Sequence, residues 1–134
     1  PNVIRPAARP GIAFVGDAAL ATDPLFGTGI AFAFQSGEWL ADEVSGRLRD
    51  PRALDAALGR YRRRFLWRLG PHHLQMADFA SGRPLRWFER LTFRRALARP
   101  AVAHTFGSLL TRERTPLRLL DPRFATQLVL PGTP

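Results

Sequence analysis

The chain has 134 residues, of which 46% are hydrophobic and 23% charged, with no cysteine and a formal net charge of +9. That length suits a single domain's worth of core, and the lack of cysteine excludes disulfides, thiolate-bound zinc and thiol redox chemistry within these residues. No apolar run approaches the roughly 18 residues of a membrane-crossing helix.

Pro1–Pro10 carries three prolines and two arginines and reads as an extended approach. Ile12, Ala13, Phe14 and Val15 form a short apolar run. This predicts a strand over Gly11–Gly16 that is buried on both faces. Gly16 then permits a tight turn. Asp17 follows at the strand's carboxyl end, where ligands bind in open α/β sheets. Ala18–Phe26 reads as a loop over a ligand. Pro24 stiffens that loop and pushes Asp23 towards an extended conformation. Gly27 and Gly29 carry no side chain to hold a ligand off the backbone. The helix predicted from Gly29 brings its free N–H groups and the positive end of its dipole to the same place.

The stretch from Ile12 to Gly37 resembles the second flavin-contacting motif of the glutathione-reductase-type FAD monooxygenases and reductases. In that superfamily a Gly-Asp motif ends a strand, and a Pro-x-x-Gly-x-Gly loop opens a long helix. The matching residues are Gly16, Asp17, Ala18 and Ala19, then Asp23, Pro24, Gly27, Thr28, Gly29 and Ile30. The resemblance covers roughly the first third of the chain. It implies FAD as cofactor, with NAD(P)H as a candidate electron donor. Asp17 would take the ribityl hydroxyls, Pro24 would line the ring, and the backbone at Gly27, Thr28, Gly29 and Ile30 would face the pyrimidine edge. Helical C-terminal regions of similar layout follow the flavin helix in the geranylgeranyl-reductase-like and flavin-halogenase-like branches. In the halogenase case Thr28 and Gly29 would offer backbone donors to a halide. The Trp-x-Trp-x-x-Pro motif and catalytic lysine of those halogenases are not in this sequence. A Gly-x-Gly-x-x-Gly turn for the FAD pyrophosphate is also missing, and the chain opens on Pro1. The expectation is therefore the C-terminal part of a longer protein, whose partner is its own N-terminal FAD-binding half.

Beyond the loop, a helix is predicted from Gly29 to about Arg49. Its inward stripe is Ile30, Ala33, Phe34, Gly37, Leu40, Ala41, Val44 and Leu48. Phe32, Phe34 and Trp39 are candidates for a pocket wall. Asp50-Pro51 has the chemistry of a helix start. The next helix is expected to end near Leu69, with Leu54, Leu58, Tyr61, Phe65 and Leu69 as its stripe and Gly70-Pro71 as its breaker. His72 and His73 point in different directions on a helix and do not make a metal site. Shorter helices are expected over Leu74–Ala80, Pro84–Ala98 and Pro100–Leu110. Leu85, Phe88, Leu91 and Leu97 are the inward residues of the second. Final turns follow at Pro116–Leu120 and Pro122–Leu130, and Pro131–Pro134 is expected to fray.

The fold class expected is thus an α/β strand–loop–helix remnant of an FAD-binding domain, an incomplete Rossmann-like FAD fold, followed by a mostly α-helical region. The boundary falls near Arg49, dividing residues 1–49 from 50–134. All 20 basic residues are arginine. Five face seven acids in residues 1–58, and fifteen face four acids in residues 59–134. With 12 prolines, this reads as a compositional bias and not as selection for nucleic acid. The leading expectation is an FAD-dependent oxidoreductase acting on an apolar or aromatic small molecule by reduction or oxygenation. It would be cytoplasmic, with peripheral membrane contact as one option, and would bind no nucleic acid. Trp67, Trp87, Phe65, Phe79, Phe88 and Phe106 either fill a small helical core, as is expected of most of them, or enclose an apolar substrate or rest on a membrane surface. The alternative is a non-catalytic basic helical module that docks on acidic lipid, nucleic acid or a partner subunit.

Overall fold

The structure, a computed structural model, describes residues 2–24, 27–111 and 113–129. It is mostly helical with a few short antiparallel strands. Two compact units divide the chain, Pro1–Ser81 and Gly82–Pro134. Arg49 lies inside the first unit, in the turn between its two helices. Among the described residues no helix is long and apolar enough to cross a membrane.

In the first unit, β1 (Val3–Ile4) pairs antiparallel with β4 (Leu20–Ala21), and β2 (Ala8–Arg9) pairs antiparallel with β3 (Ile12–Ala13). Gly11, with φ of 73°, turns the β2–β3 hairpin, and its N–H donates to Asp55 Oδ1 at 3.0 Å. The predicted strand is shortened to two residues, and its burial is not found. Ile12, Phe14 and Val15 are exposed. Among the described residues β3 has one ladder partner, β2, so the strand is not sandwiched between neighbours, and of this run Ala13 packs against the core.

Helix α1 (Gly29–Val44) and helix α2 (Pro51–Ala80) pack together beneath these strands. The core joins Ala7, Ala8, Ala19 and Leu20 to Phe32 and Trp39 of α1, and to Leu58, Tyr61, Phe65, Leu69 and Met76 of α2. The inward face of α1 is therefore Phe32, Ser36 and Trp39. Ile30, Phe34 and Leu48 are exposed, which corrects the predicted stripe. The apolar count along α1 permits either face. Packing against α2 decides, with Phe32 and Trp39 in the shared core and Phe34, also aromatic, left exposed.

Asp50 caps α2 as its sequence predicts, with Oδ1 accepting from the N–H of Arg52 at 2.9 Å and of Ala53 at 3.2 Å. The predicted break at Gly70-Pro71 does not occur, and α2 runs on through Pro71 to Ala80. A proline inside a helix removes one hydrogen bond and costs about 3 kcal/mol. Burial of Leu69, Gly70, His72, His73 and Met76 around it offsets that cost. Ion pairs fix the rest of the contact: Arg60 Nε meets Glu43 Oε2 at 2.8 Å and Arg64 Nη1 meets Asp42 Oδ2 at 3.2 Å. The Arg64 guanidinium also lies 5.1 Å from the Trp39 ring centroid, within cation–π range.

The second unit holds α3 (Trp87–Ala98), α4 (Pro100–Leu110), a 3-10 turn (Pro116–Leu120) and α5 (Pro122–Val129). Glu89 organises the start of α3. Its carboxylate takes two bonds from the Arg83 guanidinium, at 2.6 and 2.8 Å, and one from the Arg86 N–H at 2.6 Å. These bonds, that to Arg83 foremost, hold its carboxyl below the usual range. Val102, Leu109 and Phe124 are buried, and Phe93 meets Phe106 edge-on at 4.9 Å. Leu85, Phe88 and Leu97 are exposed and Thr92 is buried, so the predicted inward face of α3 is also corrected. Pro131–Pro134 lies outside the described residues.

Tyr61 carries a titration test of this core. It is fully buried, donates to the Phe14 carbonyl at 2.8 Å, and burial pushes its hydroxyl up to about 12. The unfolded chain releases that proton near 10. Stability is then whole below pH ~10 and falls as pH rises towards ~12. Tyr61 is the only tyrosine, so tyrosinate absorbance reads it alone. Denaturant unfolding between these limits should show the loss, and Tyr61→Phe should abolish it while costing about 1 kcal/mol at neutral pH.

Candidate functional site

Gly16 begins a 3-10 turn (Gly16–Ala18) that places Asp17 beside the start of α1. Its φ of 53° lies in the left-handed region, which favours glycine. A Cβ at Gly16 would stand 3.0 Å from Ala33 Cβ, so the turn lies directly on the helix. The Gly16 N–H donates to Ser36 Oγ at 3.0 Å, and that hydroxyl donates in turn to the Ala33 carbonyl at 3.0 Å. Ser36 is buried, with both roles of its hydroxyl filled. Arg5 adds a bond from Nη1 to the Asp17 carbonyl at 3.4 Å and one from its backbone N–H to Ala19 at 2.8 Å.

The loop that follows is tied at both ends. The Asp23 N–H donates to Asn2 Oδ1 at 2.8 Å, and the Gly27 N–H donates to the Pro24 carbonyl at 2.9 Å. Gly27 has a φ of 61°. Thr28 is the N-cap of α1 but gives it no side-chain cap. Its hydroxyl instead donates to Met76 Sδ at 3.4 Å, across to α2. Among the described residues, the first N–H groups of α1 thus take no side-chain oxygen from the N-cap residue.

These features enclose an open cleft of about 390 Å³. Asp17, Pro24, Gly27, Thr28, Gly29 and Ile30 line it, all of them singled out from the sequence. Gly16 stands behind it, buried against α1. Thr22 and Ala33 also line it and were missed. Helical spacing signals Ala33, one turn beyond Gly29 and Ile30. Nothing in the sequence signals Met76, whose contact with Thr28 spans distant segments. The exposed Asp17 carboxylate has no hydrogen-bond or ion-pair partner among the described residues. A Cβ at Gly29 would lie 3.7 Å from Asp17 Oδ1, so acceptor and helix N-terminus adjoin. The cleft therefore pairs one anionic acceptor with backbone donors and a positive dipole end. Its volume falls in the range of small-molecule sites.

His72 and His73 sit elsewhere. Both are buried on α2, and His72 faces Phe32 at 6.2 Å between ring centroids. Burial lowers the His73 pKa, which keeps that ring neutral at neutral pH. Among the described residues no group of three His, Cys, Asp or Glu is placed to hold a metal. The aromatics divide as well: Phe65 is core, whereas Trp67 of the first unit and Trp87 of the second are each exposed.

Gly16→Ala tests the foundation of the cleft. Left-handed strain and the contact with Ala33 together should cost about 1–3 kcal/mol, read as a lower denaturation midpoint. Gly27→Ala meets nothing within 4 Å and should lose only the strain component, about 1 kcal/mol. Comparison of the chain with protein families, curated proteins and solved structures finds no match.

Proposed function

We propose that this chain is the C-terminal part of an FAD-dependent oxidoreductase that acts on an apolar or aromatic small molecule, and that the cleft at the start of α1 receives the flavin end of the cofactor. The observation that carries this reading is the meeting of the unpaired Asp17 carboxylate with the uncapped N-terminus of α1 across Gly29. An incomplete Rossmann-like FAD fold is the finer form of the architecture on this reading.

The donor set suits such a cofactor. Asp17 is an acceptor and would take hydrogen bonds from ribityl hydroxyls. The backbone at Gly27, Thr28, Gly29 and Ile30 would border the pyrimidine edge. The N–H groups and dipole of α1 would stabilise negative charge there, already oriented before any reaction begins. Pro24 would flank the ring and keep the loop stiff. Flavin supplies the hydride-transfer or oxygen chemistry, and the protein supplies binding, orientation and field. Ser36, Tyr61 and Met76 are positioning residues, since they hold Gly16, the strand and Thr28.

Asp17→Ala is the direct test, made in the longer protein that carries this chain. Loss of one charge-assisted acceptor should weaken FAD retention roughly tenfold or more, measured as flavin release on dilution. Unchanged retention would sink the ribityl assignment. The 134-residue chain alone should hold FAD weakly, because it has no pyrophosphate turn. Tight stoichiometric flavin on this chain alone would overturn that expectation.

A further inference from the structure

Four arginines crowd α2 between Arg60 and Arg64, and they divide into two pairs. Arg60 and Arg64 are neutralised by Glu43 and Asp42 of α1. Arg62 and Arg63 are exposed and make no ion pair among the described residues. Together with Arg5, from the segment leading out of β1, they line a second cleft of about 360 Å³. Its wall is apolar: Ala7 and Phe65 are buried core residues, and Ile4 and Leu66 flank them. It shares no lining residue with the cleft at Asp17.

We propose that this second cleft binds a small anionic amphiphile, with its carboxylate or phosphate head among Arg5, Arg62 and Arg63 and its chain against Phe65 and Leu66. The planar guanidinium matches carboxylate and phosphate oxygens in pairs. Arg62 and Arg63 are neighbours on a helix, so they reach a head group from different sides, and Arg5 comes from another segment altogether. Arg5 is already steadied by its bond to the Asp17 carbonyl, yet a guanidinium has five N–H donors to share. An inorganic anion gains nothing from the apolar wall beside the three cations, and a neutral chain leaves the cations unused, so a ligand with both parts binds best. The head-group chemistry is common to free amphiphiles and membrane lipids. Partial enclosure of the cleft favours a free molecule.

The test uses the full chain and decanoate below its micelle concentration, by titration calorimetry. Decanoate should bind saturably. Acetate, which has the head alone, and decanol, which has the chain alone, should each bind about tenfold more weakly or less well still. Arg62→Ala and Arg63→Ala should each weaken decanoate about three- to tenfold, and Arg68→Ala, outside the cleft, should leave it unchanged. Alanine favours helix, so α2 survives these changes, and circular dichroism checks that it does. Equal affinity for decanol, or decanoate binding indifferent to Arg62 and Arg63, would overturn the proposal. So would capture by anionic phospholipid vesicles that decanoate does not displace, which would make these arginines a membrane-docking surface.

Discussion

The first unit depends on the contact between a glycine turn and a helix face. Gly16 lies so close to Ala33 that any Cβ would crowd it. Ser36 receives the Gly16 N–H, and Tyr61 reaches from the second helix to the Phe14 carbonyl. Three segments distant in sequence are therefore locked at one place by two buried hydroxyls. A buried backbone group without a partner costs free energy comparable to a lost hydrogen bond. Both hydroxyls are thus tied to this one arrangement of strand, turn and helices.

From that lock the cleft follows. With Gly16 fixed on α1, Asp17 stands beside the helix N-terminus. Asn2, Pro24 and Gly27 provide the loop's ties. Thr28 turns its hydroxyl to Met76 rather than to the helix end. The proposed flavin site is thus an arrangement of backbone donors, and its side chains mostly hold that backbone still.

Charge acts in a different way. Arginines on α2 that meet acids of α1 align the two helices, each exposed pair adding at most about 1 kcal/mol. The arginines left over do not neutralise anything in the described chain and stand beside apolar surface. An unneutralised cation next to an apolar wall is a poor stabiliser, and it suits a ligand that is both anionic and greasy. The Arg83–Glu89 pair in the second unit is structural by contrast, because its carboxylate also caps the backbone of α3.

Local chemistry made much of this legible. Asp50-Pro51 announces the start of α2, and Pro100 and Pro122 open α4 and α5 as proline does at first helical positions. The stripe from Leu58 to Leu69 is readable because its spacing is unambiguous. The order Gly16, Asp17, Pro24, Gly27, Gly29 marks the turn, loop and helix start that build the cleft, since each residue constrains its own torsions or offers its own charge. Other features depend on neighbours. Whether Pro71 breaks a helix rests on the burial around it, and Ile12, Phe14 and Val15 are apolar yet exposed, although α2 reaches the Phe14 carbonyl through Tyr61. The face of α1 was ambiguous in the sequence, where Ile30 and Phe34 compete with Phe32 and Trp39. Packing against α2 settled it. The sequence by itself determined caps, turns and the row of backbone donors, because these are local. Only tertiary structure decided which apolar residues are core and which arginines stay unpaired, because burial and pairing require partners far away along the chain.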